Sequence, residues 1–283
     1  MSFTRRFVHM LARVLVAAVC LSGFSVGCMI VQQEKMIYLP RQYSEAERGT
    51  FKSLGLQALT FHTSQGKQVA YWLPPTVSAP ETPNIWLVFS GNGGCSTDYL
   101  SVAKSGSEAS GWLFIDYPSY GSCAGKPTPE TIRETAEGAI QTLAAILKQS
   151  PDQLRPKLGA FGHSIGSAAA LEIAAETRMK RVVIVSPFTS MKAMAARYIT
   201  PMLTGFLRHR FDNRATLDKV ASNGARVMIL HGSNDRMIPA SMGRSLAERH
   251  PDRCTFIAIE GAGHNDVIHL GDKQIALALQ DLE

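Results

Sequence analysis

The sequence predicts an α/β fold, a mostly parallel sheet with helices on both faces, and three observations predict it. Continuous apolar runs (Ile85 to Phe89, Val182 to Val185, Val227 to Leu230, Phe256 to Ile259) alternate with stretches of helical periodicity. A strand buried on both faces reads as such a run, and helices between strands supply the parallel crossovers. One run, Lys157 to Phe161, leads into Gly162-His163-Ser164-Ile165-Gly166, a glycine-flanked turn that opens into the helical stretch Ser167 to Glu176. Finally, 283 residues with 45% hydrophobic and 18% charged content suffice for one large, well-buried domain.

Taken in order, residues 1–28 have the layout of an export leader. Arg5 and Arg6 form a basic start, Leu15 to Val26 is apolar, and Ser25, Val26 and Gly27 precede Cys28. Gly27 before Cys28 resembles a bacterial lipobox, in which the thiol is acylated; Ser25 stands where such boxes prefer leucine. A plain cleaved signal and an uncleaved anchor are the alternatives, since Met10 to Met29 is just long enough to span a bilayer, although Arg13 interrupts it. Each reading places the chain outside the cytoplasm or on a membrane: exported, membrane-anchored or periplasmic, and attached through its N-terminus.

Residues 29–59 connect this leader to a domain over 60–283. Phe61 to Thr63 and Val69 to Leu73 flank the turn residues Ser64 to Lys67, which predicts a β-hairpin. Pro74 to Pro83 is a proline-rich surface loop. Ile85 to Phe89 and Leu113 to Asp116 are strands. Thr131 to Leu147 carries apolar residues at helical spacing behind Thr128-Pro129-Glu130, a favourable helix start. Beyond the turn at Ser164 come strands Val182 to Val185, Val227 to Leu230 and Phe256 to Ile259, with helices Ser241 to Arg249 and Gln274 to Leu282. The stretch 187–220 is long for a simple crossover. Met191 to Leu207, with Pro201 in its middle, reads as two short helices and predicts a small cap; an ordinary crossover with an extra turn is the alternative.

The net charge of +6 includes Arg5, Arg6 and Arg13 of the acid-free leader, and removing those three leaves +3. That is too little to argue for nucleic acid, and no basic helix or aromatic platform suggests it. Of five cysteines, Cys20 lies in the leader and Cys28 is the lipidation candidate. Cys95 and Cys123 fall in two loops expected to border the site, where an oxidising compartment would permit a bridge. Two unpaired thiols fit as well.

A G-x-S-x-G pentapeptide arises by chance in roughly one chain in ten of this length, so context must carry it. In the functional reading it is a nucleophile elbow, with Ser164 Oγ raised above the sheet edge. Serine needs a base within hydrogen-bond reach, and the base needs a group that fixes its tautomer. Here the next strand ends carry Asp235, in Leu230-His231-Gly232-Ser233-Asn234-Asp235, and His264, in Ile259-Glu260-Gly261-Ala262-Gly263-His264. The order Ser, acid, His follows, each from a loop after a strand. Asp266 competes as the acid. His163 is expected to point elsewhere, His231 to be structural, and His250 and His269 to sit at the surface or a helix end. The Ile165 N–H and the backbone N–H of Asn92, in Ser90-Gly91-Asn92-Gly93-Gly94, are the oxyanion donors. That glycine run lacks a P-loop ending and dinucleotide spacing.

The collinear set Val88 to Gly94, Asp116 to Ser122, Gly125-Lys126-Pro127, Gly162 to Gly166, Ser186 to Ser190, His231 to Asp235 and Gly261 to Asp266 resembles the α/β-hydrolase superfamily of serine hydrolases. Within it the chain looks most like the bud-emergence-type and ABHD-type membrane-associated hydrolases. The resemblance covers roughly residues 60–270. It implies an α/β-hydrolase fold, with Ser164 as nucleophile, Asp235 as acid and His264 as base, and no metal or cofactor. Ser90 replaces the histidine usual before Gly-Asn, and Ser167 replaces a frequent second glycine. The expected activity is cleavage of esters or thioesters through an acyl-enzyme, on a small-molecule or lipid-like acyl substrate. An acyltransferase or peptidase on the same triad, and a non-catalytic lipoprotein binding module, are the rivals.

Overall fold

A computed structural model describes residues 33–77, 83–198 and 201–283, together with Gly27; the leader and Cys28 lie outside the described residues. Eight strands form one sheet: β1 (Gln57–Thr63), β2 (Gly66–Leu73), β3 (Ile85–Phe89), β4 (Gly111–Ile115), β5 (Leu158–His163), β6 (Arg181–Val185), β7 (Arg226–Gly232) and β8 (Cys254–Ile259). Their spatial order is β1-β2-β4-β3-β5-β6-β7-β8. The β1–β2 and β2–β4 pairs are antiparallel, and every other pair is parallel.

The helices are α1 (Glu45–Phe51), α2 (Leu100–Ser105), α3 (Pro129–Ile146), α4 (Ile165–Thr177), α5 (Met191–Ala195), α6 (Asn213–Ser222), α7 (Ala240–Ala247) and α8 (Asp272–Gln280), with single turns between some of them. The continuous apolar strand runs follow from burial on both faces. In β3, Ile85, Leu87 and Phe89 join the core beneath α3 and α4, while Trp86 and Val88 join the opposite core with Val102 of α2 and Ile275 of α8. Adjacent side chains of a strand point to opposite faces, so both sets must be apolar. Trp86 and Trp112 stack across β3 and β4 with ring centres 6.1 Å apart.

Local chemistry sets the element ends. Thr128 caps α3 by accepting from the Thr131 N–H at 3.1 Å, with Pro129 at the first helical position. The hairpin is tighter than expected: Thr63 pairs with Gly66, leaving Ser64-Gln65 as a two-residue turn, and Gly66 takes φ +93°.

The segment 33–56 is more ordered than a connector. Tyr38, Tyr43 and Leu56 are buried, and β1 begins at Gln57, so folded structure starts well before residue 60. The cap is smaller than 187–220. It comprises α5 and a turn of 3-10 helix at Pro201–Phe206, whereas α6 is a crossover helix that buries Leu217, Val220 and Ala221 in the core. Among the described residues, no helix is long and apolar enough to cross a membrane.

The parallel strands β3 to β8 end at one rim. Phe89 is level with Gly162, His163 with Val185, and Gly232 with Ile259. The loops after β3, β5, β7 and β8 therefore share that rim, where open α/β sheets place their ligand sites.

Candidate active site

Ser164 sits between β5 and α4 with φ 57° and ψ −119°, a strained conformation for a residue with a Cβ. Its N–H donates to Val185 O at 2.9 Å, which ties the turn to β6. The flanking glycines are required by space. A Cβ on Gly162 would lie 2.1 Å from Gly166 O, and one on Gly166 would lie 2.3 Å from Phe89 O. Ser167, where a second glycine was expected, donates its hydroxyl to Val185 O at 3.0 Å and fastens the first turn of α4 to the same carbonyl.

The loops bring the other two residues to the serine. His264 Nε2 is 3.0 Å from Ser164 Oγ, and His264 Nδ1 is 2.7 Å from Asp235 Oδ2. An ionised carboxylate only accepts, so Nδ1 carries the proton and Nε2 is left to accept from the serine hydroxyl. All three side chains are buried. They form the catalytic triad of a serine hydrolase.

Asp235 is held from several sides. Its Oδ1 accepts from the N–H groups of Met237 (2.9 Å) and Ile238 (2.8 Å). Burial raises its pKa, but hydrogen bonds from His231, His264 and Ile238 outweigh burial and keep the carboxyl well below the usual range. His231 is structural, as expected: its Nε2–H donates to Ile238 O at 2.8 Å and lies 3.4 Å from Asp235 Oδ2. Asp266 is not the orienting acid; it accepts from the Gly263 N–H at 2.6 Å and shapes the loop that presents His264. His250 pairs with Asp218 at 2.7 Å, and His269 is exposed.

His163 does not simply point away. Its ring packs on that of His264, with centres 5.1 Å apart, and its Nδ1 lies 2.7 Å from Tyr99 Oη. Tyr99 Oη also accepts from the Gly91 N–H at 3.0 Å, so one phenol joins the loop after β3 to the elbow. Burial, reinforced by His264, pushes the His163 pKa down to about 3, so the ring is neutral and does not compete for the proton that His264 must carry. The position of His163 inside the turn was the available sequence signal; nothing singled out Tyr99.

Asn92 and Ile165 line the same cavity as Ser164. Ile165 opens α4, where first-turn amides have no intrahelical partner. The Asn92 side chain has a role of its own. Its Oδ1 accepts from the Leu39 N–H (2.7 Å) and the Tyr120 hydroxyl (2.8 Å), and its Nδ2 donates to Ile37 O (2.7 Å). Gln33, four residues earlier, bonds Phe206 O and the Arg208 N–H, both at 2.8 Å. The segment 33–39 is thereby clipped to the loop after β3 at one end and to the cap at the other. The cavity it helps to enclose measures about 500 Å³ and is mainly apolar, with Met36, Ile37, Phe188, Met191, Met194 and Leu207 in its wall.

The bridge between Cys95 and Cys123 is absent. Both are free thiols, and each is directed at a different backbone carbonyl: Cys95 Sγ at Arg41 O (3.3 Å), Cys123 Sγ at Val69 O (3.4 Å). Burial pushes both pKa values up to about 12, so neither is a reactive thiolate at neutral pH.

Comparison with known proteins agrees with this geometry. No protein-family model matches the chain. An uncharacterized protein of Mycobacterium tuberculosis is 28% identical over 237 residues, which is 83% of this chain and 81% of the other. Human alpha/beta hydrolase domain-containing protein 17B is 29% identical over 232 residues, 80% of this chain and 73% of its own. Among solved structures, an alpha-beta hydrolase of Vibrio vulnificus superposes with a TM-score of 0.64 at 15% identity, covering 84% of this chain and 88% of the other. A Pyrococcus furiosus esterase gives 0.63 at 14%, covering 87% and 98%. The chain has the α/β-hydrolase fold with a small helical cap.

Proposed function

We propose that this serine hydrolase cleaves carboxylic esters or thioesters of apolar acyl groups, acting from an exported, membrane-attached position. The observation that carries the substrate class is the placement of Ser164 in the apolar cavity beneath the cap. The acyl chain lies among the methionines of α5. Ser164 Oγ attacks the carbonyl carbon while His264 Nε2 takes the hydroxyl proton, and Asp235 stabilises the resulting imidazolium. The backbone N–H groups of Ile165 and Asn92 receive the developing oxyanion. His264 then protonates the leaving alcohol or thiol, and water attacks the acyl-enzyme by the reverse sequence of proton transfers. The leader supports the cellular placement, with acylation of Cys28 as the means of attachment.

A fluorophosphonate probe, followed by esters of graded chain length, tests this reading. Labelling at Ser164 that Ser164→Ala abolishes, with turnover rising from acetyl to medium-length acyl esters, is the expected result. Equal labelling of the alanine variant removes the nucleophile assignment; a preference for acetyl removes the acyl-chain assignment. Mass spectrometry of the mature terminus reads the state of Cys28.

A further inference from the structure

We infer that the rim of the active-site cavity is a docking face for an anionic bilayer surface, distinct from any attachment through the leader. Three residues that line the cavity are also strongly exposed: Met36 (63%), Tyr198 (71%) and Met237 (48%). Phe206 (51%) and Leu39 (58%) extend the same rim, since Phe206 O holds Gln33 and the Leu39 N–H is held by Asn92. Exposed apolar side chains scattered singly are ordinary, but several gathered around one opening mark an interaction site.

The charges name the partner. Lys35 precedes Met36, Arg197 precedes Tyr198, Arg236 precedes Met237, and Arg208 follows Leu207. All four cations are exposed, and among the described residues none forms an ion pair. Two acids adjoin these cations in sequence: Glu34, which is half-buried, and Asp235, which is buried and bonded to His264. Apolar side chains interleaved with unpaired cations suit the headgroup–acyl boundary of a bilayer, where cations near an anionic surface add to the binding. A protein partner with a complementary acidic, apolar patch is the competing occupant. Chain length favours the bilayer: Met36 lies ten steps along the chain from Val26, the end of the apolar leader stretch. Fully extended they span at most about 35 Å, so a leader held in a membrane keeps this rim close to it. An acyl chain then passes from the bilayer into the cavity without crossing water. The face itself does not depend on which bond is cleaved.

The test uses the full-length chain with benzoylphenylalanine in place of Tyr198 or, separately, Met237. Asp252, at the amino-terminal edge of β8, is the control position. Each protein is mixed with vesicles of phosphatidylcholine alone or with phosphatidylglycerol added, irradiated and analysed for lipid adducts, and sedimentation with the vesicles is recorded in parallel. Lipid adducts at 198 and 237 but not at 252, increased by phosphatidylglycerol and reduced about tenfold or more in Lys35→Glu/Arg197→Glu/Arg236→Glu, are expected. Hydrolysis of a water-soluble ester checks that the triple variant is folded, and Arg197→Glu alone replaces it if it is not. Sedimentation without adducts at 198 overturns the docking face while leaving attachment through the leader standing. Failure to sediment and to crosslink overturns both. Adducts that do not respond to phosphatidylglycerol, or that are as frequent at 252, also overturn it.

Discussion

Tyr99 Oη lies 2.7 Å from His163 Nδ1 and accepts the Gly91 N–H at 3.0 Å, so a single phenol sets the spacing between the loop after β3 and the elbow. Removing it leaves two buried polar groups unpaired, at a cost of about 1–3 kcal/mol each. Tyr99→Phe is expected to lower kcat about tenfold with KM within twofold, because loosening Gly91 shifts the neighbouring Asn92 N–H, the proposed oxyanion donor, which acts mainly on the transition state. Binding of a trifluoromethyl ketone, which forms a tetrahedral oxyanion, should weaken in step with kcat. A Tyr99→Phe protein that loses only thermal stability would show the phenol to be a packing residue.

The triad acts as a unit. Ser164→Ala should lose about 10^6 in kcat and Asp235→Asn about 10^4, with the double variant no worse than Ser164→Ala. Steady-state hydrolysis of a soluble ester, read alongside circular dichroism, measures both.

Gly162→Ala should lower stability by about 3 kcal/mol or more, since the added carbon meets the Gly166 backbone at 2.1 Å and neither segment has room to move. Gly205→Ala, where nothing lies within 4 Å, is the matched control. Urea melts of the two variants make the comparison.

Asp116 gives a pH signature. Burial raises its pKa to about 6 although Ser96 N–H donates to it at 2.7 Å. A carboxyl whose folded pKa lies above its unfolded value of 3.8 is favourable to the fold when protonated, and that contribution is lost as pH rises through about 6. Asp116→Asn should therefore gain on the wild type between pH 4 and pH 7, by up to about 3 kcal/mol. Thermal melts across that range test the sign; parallel curves would refute it.

Met194→Trp should shorten the preferred acyl chain, since Met194 stands in the cavity wall and indole fills volume that a chain would occupy. The chain-length profile of kcat/KM is the measurement, with little change expected for acetyl esters.

The parallel strands were legible because burial on both faces leaves no polar position, as in β3. The triad was legible because Ser164, Asp235 and His264 follow strand ends in order. Ser164 was further marked by two glycines that the backbone approach demands. What escaped the sequence rests on long-range bonds that leave no periodicity. The Asn92 side chain holds Ile37 and Leu39 across more than fifty residues, so 33–39 looked like a connector. The extent of the cap was overdrawn because Met-rich α5 and the core helix α6 are both rich in apolar residues, and only packing separates them. The cysteine pair illustrates a different limit: two loops can border one site while their thiols face separate carbonyls.

The level strand ends have a further consequence. Nucleophile, acid and base hang from β5, β7 and β8; the ladder between Gly232 and Ile259 sets how far the imidazole stands from the carboxylate, and the ladders through β6 carry that register to the hydroxyl. One step along a strand is about 3.3 Å, more than a proton transfer tolerates. Turnover in a refolded sample is therefore an assay of alignment: a single catalytic event certifies that three non-neighbouring stretches of chain have each locked at the right rung.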